Sequence, residues 1–187
     1  MIIGTGLGST ERCGLSNNAL GDYSTVSGGT LNNATGKHSF IGGGCYNASA
    51  GGCMTVIGGG LLNCASKDFS TIGGGCSNYA SCNASTIGGG CANTASNTKA
   101  TIAGGASNIA SGDSSGVLTG TVNTSSGYYS AVVGGYANIA SSTYSFVGAG
   151  TQNVASNDHA FVGTGYQNCV TGQHSSYFKW KAKLYNC

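Results

Sequence analysis

The chain has 187 residues and a mass of 18.3 kDa, enough for one domain or one stretch of a longer rod. It carries 35 glycines and no proline, only 6% of residues are charged, and the formal charge is +2. That composition excludes charge-driven disorder and gives no basic field for nucleic acid, and no apolar run reaches the roughly 18 residues needed for membrane insertion.

Residues 1–8 read as a lead-in. The opening MIIGTGLGST lacks the basic n-region and long apolar stretch of a signal peptide, so, if Met1 is the true start, export by the general route is not expected. Its GTGLG stretch (4–8) lacks the spacing of a dinucleotide fingerprint. The later IGGGC runs lack the Lys and Ser/Thr of a phosphate loop, so neither nucleotide reading holds and no cofactor is expected.

Residues 9–176 repeat. An aliphatic anchor falls at Val26, Ile41, Ile57, Ile72, Ile87, Ile102, Val117, Val132, Val147 and Val162. The spacing is fifteen residues except between Ile41 and Ile57, where SAGGC (49–53) makes it sixteen. Three residues past each anchor stands a glycine, from Gly29 to Gly165, and six past it an asparagine, from Asn32 to Asn168. A degenerate first copy keeps Gly14 and Asn17 in register but has Glu11 at the anchor.

A period this short means that each copy buries its apolar side only by stacking on its neighbours. Fifteen residues suit one turn of a β-solenoid, with two short strands and two bends. The fold class is therefore all-β, a parallel β-roll of about eleven coils. Coils would stack about 4.8 Å apart, giving a rod on the order of 50 Å long.

Period-two alternation sorts the columns. The anchors and the serines two before them (Ser24, Ser39, Ser70, Ser85) point inward, as do the asparagines and the alanines two after them (Ala34, Ala65, Ala80, Ala95). The interior is thus thin and threaded by an amide ladder. The glycine three past the anchor marks a corner with positive φ and close backbone approach. Two outward columns mix apolar residues with threonines: Phe40, Val56, Phe146 and Phe161 stand among those before the anchors, and Tyr79, Ile109, Ile139 and Val154 among those after the asparagines. Contiguous apolar surface on so thin a coil favours an oligomer.

Runs such as STIGGGCSNYAS (70–81) and SFVGAGTQNVAS (145–156) resemble the head repeats of trimeric autotransporter adhesins, the YadA-like β-roll, and related repeats of phage and large-virus fibres. The resemblance covers roughly residues 9–176. It implies a left-handed roll, three chains side by side as a homotrimer, and a role in attachment. The chain departs from the bacterial adhesins by one extra residue per coil, an asparagine ladder, many cysteines, and the absence of a signal peptide and an anchor barrel. These departures shift the expectation to a virion fibre, with other fibre or virion proteins as partners, or to a fragment of a longer chain.

Charges between residues 13 and 178 fall at one corner: Asp22, Lys37, Lys67, Asp68, Lys99, Asp113 and Asp158. The plain reading is a solvated ridge. The sharper one notes the rings on the same ridge and makes Tyr128, Tyr129, Tyr144, His159 and His174 the candidate contacts to a host glycan or protein receptor. The aspartates recur every three coils, roughly 14 Å apart, beyond the about 5–9.5 Å of a glycosidase pair. No enzyme activity and no metal site are expected.

Cys45, Cys76 and Cys91 share a column. Their spacing suits a disulfide, but parallel side chains rarely reach the required dihedral, so the expectation is small, semi-buried hydrophobes. The Asn-x-Ser/Thr matches at Asn33, Asn47, Asn83 and Asn123 read as chance, since Asn47 and Asn123 belong to the interior ladder.

Residues 177–187 break the pattern. Phe178, Trp180, Ala182 and Leu184 alternate with Lys179, Lys181 and Lys183 as an amphipathic strand, either a lysine-protected cap or the start of a further domain. The sequence as a whole reads as a non-enzymatic trimeric fibre segment. The alternatives are a bacterial surface adhesin head and an ice-binding solenoid, the latter weakened because Phe40 and Val56 interrupt the threonine column.

Overall fold

The computed structural model describes residues 5–171 and the strand Ser176–Tyr177. Each coil contributes two strands of two residues. The first strands, from Thr10–Glu11 to Ser176–Tyr177, stack in chain order into a twelve-stranded parallel sheet. The second strands, from Asn18–Ala19 to Cys169–Val170, form an eleven-stranded one. Each residue pairs with its counterpart one repeat on, Ile72 beside Ile87 and Ala80 beside Ala95. A third column of single parallel bridges runs from Leu15 to Tyr166. The protein is an all-β parallel solenoid of about eleven coils.

The inward columns fall where the alternation puts them. The aliphatic anchors and the second-strand alanines are buried along the described rod. Where serine replaces alanine, a facing hydroxyl satisfies it: Ser125 meets Ser130 Oγ at 2.7 Å, and Ser49 meets Thr55. Some serines before the anchors pin the preceding corner, as when Ser70 and Ser85 donate to the Lys67 and Cys82 carbonyls at 2.6 Å. The extra residue of the long coil leaves Ile41 paired with Ile57 and is absorbed at Gly51, whose φ is +83°.

Strands stay two residues long because the backbone twice turns left-handed in each coil, and ordinary residues do it. One column of positive φ includes Leu31, Tyr46, Leu62 and Val122; the other includes Tyr23, His38, Lys99, Tyr129, Tyr144 and His159. A side chain in this region costs about 1–2 kcal/mol. Hydrogen bonding offsets that cost, because the turn reverses the peptide. Thr30 donates forward to the Gly44 carbonyl at 2.8 Å, whereas Leu31 donates backward to the Leu15 carbonyl at 2.9 Å. Tyr144 and His159 likewise donate backward, to Tyr128 and Thr143 at 2.8 and 2.9 Å. The reversal lets each coil bind both neighbours at its corners.

The glycine corner has the conformation expected, with a distinction inside the triplet. Gly75 has φ of +91°, and a Cβ there would lie 2.0 Å from the Gly90 carbonyl oxygen. Gly73 is crowded too, with Gly88 O at 2.3 Å, but the middle residue, Gly74, has no atom closer than 4.0 Å. The asparagines lock this corner. Asn93 Nδ2 donates to the Gly89 carbonyl at 3.1 Å and to the Gly105 carbonyl of the next coil at 2.9 Å.

Candidate functional site

Both outward columns are placed as the sequence suggests. Phe40 and Val56 are exposed on the first sheet, Tyr79, Ile109 and Ile139 on the second. Phe146 and Phe161 stack with centroids 5.1 Å apart and planes within 5°. The two sheets thus each carry an uncharged, partly aromatic outer surface.

The charged corner divides into two parts. Asp22 Oδ1 accepts the Leu7 N–H at 2.9 Å and Asp68 Oδ1 the Cys53 N–H at 2.8 Å, each from the coil before. These carboxylates are corner staples as well as surface charges, which the sequence alone did not reveal. Asp113 instead accepts from the Ser114 hydroxyl at 2.7 Å.

On the C-terminal half of the corner the left-handed backbone aims one ring per coil outward. Tyr129 stacks on Tyr144 with centroids 5.5 Å apart and planes at 5°, and Tyr144 stacks on His159 at 5.1 Å and 16°. Tyr128 meets Tyr129 edge-on at 4.2 Å. Tyr23 and His38 repeat the stack near the other end, at 5.0 Å. Four of the five sequence-selected contacts, Tyr128, Tyr129, Tyr144 and His159, therefore form one cluster. His174 lies outside the described residues, as do residues 178–187.

The stacking changes what the cluster offers. The faces of Tyr144 are covered by Tyr129 on one side and His159 on the other, so ring edges and polar tips remain outward. Tyr128, Tyr129 and Tyr144 are each about half exposed. The Tyr128 phenol is pushed up to about 12, first by its hydrogen bond with Tyr129 and then by that neighbour's charge, with Asp113 adding to the shift. That hydrogen bond ties the two phenols together. Among the described residues no three metal-ligating side chains converge.

The cysteine column corrects one expectation. Cys76 and Cys91 form a disulfide between consecutive coils, with Cα atoms 4.7 Å apart. Their column pairs as single parallel bridges outside the two sheets. Cys45, separated from Cys76 by Leu61, remains a free thiol. Cys64, half-buried on the second sheet, has its thiol pushed up by burial. Asn47 and Asn123 are fully buried in the ladder, which leaves no room for a glycan.

No family model matches the chain, and no curated protein matches it in sequence.

Proposed function

We propose that the chain is a non-enzymatic segment of a trimeric attachment fibre, built as three left-handed rolls side by side. The observation that carries this reading is the set of exposed apolar residues on each of two sheets: Phe40 and Val56 on one, Tyr79, Ile109 and Ile139 on the other. A two-fold dimer would cover one such surface in each chain. A cyclic assembly sets the first sheet of each chain against the second sheet of the next and covers both. The YadA-like look of the repeat supports the same arrangement and hand.

In this reading the uncovered corner is the part that meets a target, and three copies around the rod add weak contacts by avidity. A virion fibre is the favoured setting and a bacterial surface the alternative; virion genes or an anchor-barrel gene beside the coding sequence would separate them. Support for a non-enzymatic role comes from the corner carboxylates, since Asp22 and Asp68 are occupied with backbone N–H groups. The test applies labelled protein to a panel of bacterial and eukaryotic cells. Saturable binding to at least one cell type, lost in Tyr129→Ser/Tyr144→Ser/His159→Ser, is the expected result. Binding that survives the triple change would make the repeat a spacer.

A further inference from the structure

We infer that the Tyr128–Tyr129–Tyr144–His159 edge binds a neutral, extended, β-linked polysaccharide lying along the rod axis, one sugar per coil, through ring edges and phenol hydroxyls. The inference rests on the attachment reading and names the ligand class for its corner. Three features of the edge carry it.

The first is geometry. Sugar sites often use an open aromatic face, but here Tyr144 is sandwiched at 5.5 and 5.1 Å by parallel neighbours. What points outward is a row of hydroxyl and imidazole groups, fixed by φ values of 53°, 56° and 59° at Tyr129, Tyr144 and His159. The row repeats with the coil, about 4.8 Å, close to the advance of one pyranose unit in an extended β-1,4 chain. A chain laid along the axis can therefore place one sugar at each coil.

The second is charge. Between residues 113 and 159 the only charged side chains are Asp113 and Asp158, and the nearest lysine before them in sequence is Lys99. An anionic polymer finds repulsion there. A neutral one finds carboxylate acceptors, which make strong hydrogen bonds to hydroxyl donors.

The third is hydrogen-bonding type. Tyr128 and Tyr129 are joined by a hydrogen bond that fixes the two phenols against each other. Phenols paired with carboxylates give the mixed donor and acceptor row that a polyol requires.

The test titrates the purified protein with cellohexaose, chitohexaose, mannohexaose and xylohexaose, and with shorter members of whichever series binds. At least one hexasaccharide should bind, more tightly with each added sugar up to the length of the row. Tyr129→Phe/Tyr144→Phe keeps the ring stack and the melting temperature, and should weaken binding by about tenfold or more for two lost hydrogen bonds. Equal binding by the phenylalanine pair, or no binding of any hexasaccharide at millimolar concentration, overturns the inference. Cell attachment that is lost in the serine triple while no hexasaccharide binds would overturn the glycan assignment and leave the attachment reading standing with a protein receptor. Attachment that survives the serine triple overturns both.

Discussion

The side-chain oxygen of Asn78 accepts the backbone N–H of Asn93, 3.0 Å away in the next coil. The same step repeats from Asn17 through Asn168, so one residue type joins every described coil to the next. Each asparagine from Asn17 to Asn153 also clamps two corner carbonyls, one in its own coil and one in the following coil, as Asn93 does with Gly89 and Gly105. The amide is therefore the joint between the hydrogen-bonded ladder and the left-handed corner. Hydrophobic burial alone, by small Ala and Ile/Val columns, would not define that corner.

Asn93→Leu should cost about 1–3 kcal/mol for each buried partner left unpaired, chiefly the Asn108 N–H, with the Gly89 carbonyl also losing its donor. Asn93→Asp keeps the acceptor but buries a charge. Burial raises that carboxyl above its ordinary value, so the added cost is absent below about pH 4 and grows as pH rises through the raised value. Denaturant melts from pH 3 to 8 check both. An aspartate variant as stable as wild type at pH 7 would mean that the ladder amide is not needed.

The glycine triplet should respond position by position. Gly75→Val forces a side chain into positive φ and against the Gly90 backbone, and should destabilise by at least about 1–3 kcal/mol. Gly74→Ala adds a methyl to open space and should be neutral, or stabilising by about 0.4–1 kcal/mol through the unfolded chain. Equal losses in the two variants would contradict the corner geometry.

The Cys76–Cys91 bridge closes a loop of 15 residues. Chain entropy alone sets its contribution at about 3 kcal/mol, so Cys76→Ser/Cys91→Ser should melt earlier under oxidising conditions and match wild type under reducing ones. Thiol titration of the unfolded protein should show at least two groups that react only after reduction. If reduction exposes no new thiol, the bridge does not form.

Much of this architecture was legible in the chain because the period is strict. Ile72 and Ile87, Gly75 and Gly90, Asn78 and Asn93 occupy equivalent positions, and alternation assigns each an inside or an outside. The left-handed columns at Leu31, Tyr46 and Val122 were not legible. Positive φ is usually announced by glycine or asparagine, whereas here the reversed N–H to the preceding coil demands it whatever the side chain. The covering of the Tyr144 faces escaped for a related reason. Rings one repeat apart can be aligned from sequence, but their planes depend on a corner conformation that composition does not encode. The column of Cys76 and Cys91 was legible, but its parallel stacking argued against the disulfide that joins them.

Side-by-side assembly through the two apolar columns is the central claim, and the mass of the particle in solution tests it most directly. Sedimentation equilibrium of the purified chain at micromolar concentration should give a single species of three times the 18.3 kDa chain mass. A stable species of 18.3 kDa, with Phe40, Val56, Ile109 and Ile139 left open to water, would contradict it.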